Sequence, residues 1–235
     1  MDDEWAHDLM LDTLPKLVDK YGTVAAAAAS EWYEQIRSEH VDAPFAAVPA
    51  DNYPMDKIHT ATGTQISQAL DRADPDQFER WAVGALDRWI RYASRETIVN
   101  NTIRDPSQPR WARVPSGQAT CAFCLVLASQ GFYYVTRKSA IKASTGLRAG
   151  KKYHDHCDCQ PVPVWEAKDI IIKGYDPDAL YDLYSTARDK LAAGDLDEAT
   201  LKALRDHDIP LNEYDPNALA LVLRRMGSPL VTDSL

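Results

Sequence analysis

The residues of this chain best suited to chemistry are four cysteines, all between Cys121 and Cys159. Cys121-Ala122-Phe123-Cys124 is followed about thirty residues later by His154-Asp155-His156-Cys157-Asp158-Cys159. Cys-x-x-Cys followed by His-x-x-Cys-x-Cys offers more than the four soft ligands that one tetrahedral zinc ion needs. Spacing favours Cys121, Cys124 and Cys157, with either Cys159 or His154 as the fourth, because the adjacent side chains of His156 and Cys157 point apart in an extended chain. A centre saturated with thiolates is structural. A catalytic zinc keeps one position open beside a carboxylate base, and Asp155 and Asp158 are at hand for that version.

Other chemistries find little support. A zinc deaminase needs His-x-Glu with Pro-Cys-x-x-Cys downstream, whereas Thr120 precedes this Cys-x-x-Cys and position 156 is histidine. His154 and His156 in a basic setting loosely resemble the paired histidines of a metal-dependent nuclease. No glycine-rich phosphate loop, Gly-x-Ser-x-Gly elbow or His-Glu-x-x-His helix occurs. His7, His40, His59 and His207 are isolated and read as surface or satisfied polar residues.

Charge is unevenly distributed. Nine cations and one acid lie between Arg104 and Lys152, so this segment carries +8 and the rest −17, for a net −9. Arg110, Arg113, Arg137, Lys138, Lys142, Arg148, Lys151 and Lys152 are therefore candidates for contact with an acidic partner or nucleic acid; the alternative is a solvated loop balanced by the acidic remainder. The alanine-rich stretch from Tyr21 to Ser30 is too short and too weakly apolar to span a bilayer or direct export. A reducing compartment is the expectation, and it favours metal-bound thiolates over disulfides.

The elements that must position these groups are mostly helical. With 235 residues, 45% of them hydrophobic, the chain can bury a real core. Asp74-Pro75-Asp76-Gln77 is a helix start, with Asp74 as N-cap and Pro75 at the first helical position; Phe78, Trp81, Ala85, Leu86, Trp89, Ile90 and Ala93 follow at helical spacing. Leu14, Leu17, Val18 and Tyr21 form a stripe ahead of a helix over 25–37 that carries Trp32, Tyr33 and Ile36. Three prolines mark 42–54 as a loop crossing the resulting bundle. A short helix is predicted over 121–129, closed by Gly131, then a strand over 132–135, an exposed basic loop, and an extended segment over 160–165. The tail reads as helices opening at Asp176-Pro177, after Gly194 and near Asn217. It is predicted to pack back on the bundle or to reach a neighbouring subunit. The expected architecture is mainly α with a small α+β zinc-stapled module: a helical N-terminal bundle (1–105), a Cys/His knuckle (106–168) and a helical tail (169–235).

Several of these residues together resemble one family. Trp111-Ala112-Arg113-Val114-Pro115, Thr120-Cys121-Ala122-Phe123-Cys124, Leu127-Ala128-Ser129-Gln130-Gly131, Tyr134, Tyr153-His154-Asp155-His156-Cys157-Asp158-Cys159 and Pro163-Val164-Trp165 look like the MuF-like minor capsid (head morphogenesis) proteins of tailed phages, in the version found in phages of actinobacteria. The specific part covers about 110–165; Tyr21 and Arg95-Glu96-Thr97 resemble the family's leader more weakly. Gln130 stands where relatives often carry arginine. The resemblance implies a low-copy, non-enzymatic virion protein made in the host cytoplasm and retained inside the capsid near the portal vertex. Zn(2+) would be held by Cys121, Cys124, His154, Cys157 or Cys159. Portal protein, major capsid protein or packaged double-stranded DNA would be the partners, with no membrane. The competing expectation is a zinc-dependent DNA-processing or toxin-like enzyme.

Overall fold

A computed structural model describes residues 3–72, 74–116, 120–133, 157–165, 172–228 and 231–232. The chain is mainly helical, with seven helices and two small two-stranded sheets among these residues. It divides into two units, one reaching Asp105 and the other beginning at Pro106. No helix among the described residues is long and apolar enough to cross a membrane.

The first unit contains α1 (Asp3–Ser38), α2 (Met55–Arg72) and α3 (Pro75–Arg104). α3 begins as its sequence demands: Asp74 accepts a hydrogen bond from the Gln77 N–H at 3.0 Å, and Pro75 occupies a position where no N–H is needed. It stops at Asp105, whose extended backbone (φ −65°, ψ 122°) suits the residue before a proline. Two features differ from expectation. α1 is one continuous helix running through Pro15, although proline there removes an internal hydrogen bond. Leu14 and Val18 on either side are buried, so packing offsets that cost. α2 is a further helix, low in propensity because of its threonines, serine and Gly63, yet burying Ile58, Thr62, Ile66 and Ala69 on one face.

Leu14, Val18, Ile58, Ala85 and Trp89 form the core of this unit. Trp89 meets Trp81 edge-on at 5.7 Å and stacks on Tyr53 at 5.9 Å. Tyr21 and Trp32, by contrast, lie on the outer side of α1.

The proline-rich segment 42–54 crosses the helices as a strap, and side chains replace the backbone partners it lacks. The Asn101 amide accepts from the Val48 N–H (2.9 Å) and donates to the Val48 carbonyl (2.9 Å), as a neighbouring strand would. The Ala50 N–H donates to Thr97 Oγ1 at 2.9 Å. At the end of the strap, Arg37 Nε donates to Asp105 Oδ2 at 2.7 Å, with both side chains almost wholly buried. Arg37 also donates to the Ala43 carbonyl and lies over the Phe45 ring. Tyr33 donates its hydroxyl to Asp105 Oδ2 at 3.1 Å.

The second unit begins with β1 (Arg110–Val114). It pairs antiparallel with β3 (Gln160–Val164), bringing Arg110 opposite Val164 and Val114 opposite Gln160. Pro161 and Pro163 have no N–H, so only Gln160, Val162 and Val164 can donate from β3 to its partner. β2 (Thr120–Cys121) leads into α4 (Ala122–Ala128) and pairs parallel with β4 (Val231–Thr232). Gly131, at φ +57°, turns the chain after α4. A single 3-10 turn, Gly131–Tyr133, occupies the start of the expected strand at 132–135; the rest of that span lies outside the described residues.

The tail forms α5 (Pro177–Ala193), α6 (Glu198–Asp206) and α7 (Pro216–Arg225), capped by Asp176, Asp197 and Asp215. Leu125 and Val126 of α4 share one core with Leu180, Leu191, Leu204, Leu219, Val222 and Leu223. The Tyr175 hydroxyl donates to the Ala128 carbonyl at 2.8 Å, completing the end of α4. The tail thus packs on the cysteine-bearing module, whereas the sequence reading divides the two at residue 168.

Removing one partner of a buried ion pair strands the other charge, so Asp105→Ala should cost about 3–5 kcal/mol in chemical denaturation. Burial first, then the Asp105 charge and hydrogen bond, hold the Tyr33 phenol well above its ordinary value. A group raised in the folded state stabilises fully below its unfolded pKa of about 10 and loses that contribution as pH rises beyond it. Denaturation from pH 8 upward should show stability falling above about pH 10, and Tyr33→Phe should flatten that fall.

Candidate metal centre

The sequence around the cysteines builds the site in two pieces. Cys121 is the N-cap of α4: its Sγ accepts from the Cys124 N–H at 3.2 Å, which places Cys124 on the first turn. Cys157 and Cys159 lie two residues apart just ahead of β3, a spacing that puts both sulfurs on one side of an extended chain. The knuckle is tied down by its middle residue. Thr120 Oγ1 donates to Asp158 Oδ1 at 2.7 Å, and Ser116 Oγ donates to the Asp158 carbonyl at 2.5 Å.

These pieces bring three sulfurs together. Cys124 and Cys157 Sγ are 3.1 Å apart, Cys157 and Cys159 3.3 Å, and Cys159 and Cys124 3.4 Å. All are free thiols. Cys124 and Cys159 are 0% exposed and Cys157 is 2% exposed. An ion about 2.3 Å from each sulfur needs them about 3.8 Å apart, an expansion of roughly half an ångström. The three therefore suit one thiophilic cation.

Crowding has an electrostatic consequence. Hydrogen bonds with Cys121, Cys157 and Cys159, then burial, push the Cys124 thiol far up. For Cys157 the bond with Cys124 acts downward, but the bond with Cys159, burial and the Cys159 charge outweigh it and push the thiol up to about 12, despite the nearby Arg113 charge. Ionising this cluster needs a strong positive charge in its midst, and a divalent cation supplies one.

The other residues singled out in the sequence fall into three groups. Cys121, 4% exposed, neighbours the triad as cap of α4 but is not one of the three. His154, Asp155, His156 and the cations Arg137, Lys138, Lys142, Arg148, Lys151 and Lys152 lie outside the described residues. Arg110 is exposed on β1. Arg113 is a correction. It is 3% exposed, with its guanidinium against Cys157 and Cys159, and so is not available at that surface. Sequence reasoning also missed the Thr120–Asp158 bond. The signal for Arg113 was strand alternation: Ala112 and Val114 face the apolar core, so Trp111 and Arg113 face the opposite side.

A family model described as VG15 protein matches residues 1–187. The chain belongs to this family, a family of phage proteins. It is similar to the Gene 15 protein of Mycobacterium phage D29, 30% identical over 109 residues, covering 36% of this chain and 39% of that protein. It is also similar to the Gene 15 protein of Mycobacterium phage L5, 27% identical over 137 residues, covering 44% of this chain and 45% of that protein. The chain matches less than half the length of either relative. No solved structure matches.

The geometry separates the cysteines experimentally. Elemental analysis should show Cys124→Ser and Cys159→Ser depleted in bound metal. Cys121→Ser should retain it, because serine keeps the helix cap and the triad stays whole.

Proposed function

We propose that this chain is a low-copy component of the phage particle, a minor capsid protein of head morphogenesis. In this reading its cysteine-bearing unit is stapled by Zn(2+) and docks on the portal or the inner capsid. The burial of the sulfur cluster carries the reading. Thiolates shut away from water suit an ion that fixes shape, not one that offers an open position to substrate. Thiolate ligands and a reducing host cytoplasm favour zinc among common divalent ions. Membership of a phage family supports a phage-encoded role, and the MuF-like pattern over 110–165 supports the placement in the head.

In this reading the working part of the protein is a rigid surface. Cys124, at the start of α4, and Cys157 with Cys159, ahead of β3, would hold the ion. The ion supplies the positive charge that lets three neighbouring sulfurs ionise together. Both elements that flank the centre, α4 and the β1–β3 ribbon, are thereby fixed, and the exposed Arg110 on β1 lies on that frame. The basic segment that follows in sequence would meet acidic portal surface or packaged DNA. A DNA-processing enzyme instead needs a carboxylate base turned to the ion, and the Asp158 carboxylate accepts a hydrogen bond from Thr120.

Mass spectrometry of purified particles should find the chain at a few copies per head, cross-linked to portal or capsid protein. A Cys124→Ser/Cys159→Ser variant should be free of metal and missing from particles. A chain confined to the infected-cell lysate, or a metal-free variant that is incorporated normally, rejects the proposal. Metal-dependent cleavage of DNA by the purified protein would replace it with the enzymatic reading.

A further inference from the structure

Among the described residues, Arg113 is a cation held against the sulfur site, and its chemistry bears on what the site holds. The β1–β3 pairing sets its place: Arg113 lies opposite Pro161, two residues along the chain from Cys159. Its Nε donates to Cys159 Sγ at 3.2 Å, and Nη2 donates to the same sulfur at 2.8 Å and to Cys157 Sγ at 3.6 Å. Burying a guanidinium costs several kcal/mol unless an anion or well-placed acceptors offset it. A neutral thiol is a weak acceptor, whereas a hydrogen bond to an ionised group is about twice as strong. The fork on Cys159 is therefore built for a thiolate.

Three thiolates around one divalent ion carry −1, and a guanidinium in hydrogen-bond contact with two of those sulfurs offsets negative charge in a site shut off from water. Cys121, the cap of α4, is itself hydrogen-bonded to the Cys124 thiol and so lies beside the three.

Building on the metal reading above, we infer that Arg113 is the resident counter-cation of the thiolate centre that includes Cys124, Cys157 and Cys159. The centre takes one thiophilic divalent ion. Arg113 is a positioning residue: it touches sulfur, not the ion, holds Cys157 and Cys159 on one side, and draws electron density from their sulfurs.

The test uses the full-length protein loaded with Co(2+) or Zn(2+). Wild type should show a sulfur-to-cobalt charge-transfer band. Arg113→Met should bind about 10–100-fold more weakly, shift that band, and leave the metal-bound sulfurs faster to alkylate. Arg113→Lys, which keeps the charge but not the fork, should recover part of the affinity without restoring the band. A folded Arg113→Met that matches wild type in affinity and spectrum overturns the assignment while leaving the metal reading intact. A wild-type protein that takes up neither ion overturns both. Should Arg113→Met not fold, Arg113→Lys decides, and identity with wild type in band position and alkylation rate overturns the inference.

Discussion

Three sulfur atoms lie within 3.4 Å of one another and out of reach of water, and the arrangement of the second unit depends on that contact. As thiols they gain little from each other; as bare thiolates they would repel. Only positive charge placed among them makes their approach favourable. The contact joins Cys124 to Cys157 across 33 positions of sequence. Closing a loop of that length costs about 4 kcal/mol in chain entropy, whereas structural zinc sites return about 10–16 kcal/mol on binding at neutral pH. An ion bound there would thus offset the closure, and α4 and β3 would be held where their own short lengths would not hold them.

The first unit meets a similar difficulty without metal. Its strap, 42–54, has no partner strand, so buried side chains stand in for one: Asn101 bonds Val48 in both directions, and Thr97 takes the Ala50 N–H. Arg37 then ties the strap to Asp105, the last residue before the second unit begins. In both units an irregular segment is fixed by a buried cation meeting a concentrated acceptor. In one the acceptor is a carboxylate, ionised at any ordinary pH. In the other it is a sulfur cluster that needs a second cation.

What could be read from sequence was what is decided locally. Helix starts at Asp74-Pro75 and Asp176-Pro177 are written within a few residues, because the cap and the fixed proline φ act on the first turn alone. The short helix at 122–128 and the left-handed Gly131 follow the same logic. α2 was hidden because Thr60, Thr62, Gly63, Thr64 and Ser67 lower its intrinsic propensity, while its stability comes from burying Ile58 and Ile66 against other helices. β1 was hidden among prolines and polar residues because its strand character is conferred by pairing with β3, 54 positions away in the register of Arg110 with Val164. Tyr21 and Trp32 fit a helical stripe, but periodicity alone does not say which side of a helix is covered, and both lie outward.

The same distinction governs how charge should be read. A count along the chain assigned Arg113 to a basic surface because its neighbours in sequence are basic. In the fold it faces cysteines that are 44 and 46 positions away. A guanidinium two strand positions from an aromatic, flanked on both sides by residues that enter an apolar core, is committed to the side that the core does not use. When that side also holds clustered cysteines, the cation belongs to them before it belongs to any partner. The segment's formal +8 therefore includes one charge that is turned inward. In the proposed docking reading, an acidic surface would then be met by Arg110 and the cations that follow in sequence, and the centre and the contact surface would be separate tasks of neighbouring residues.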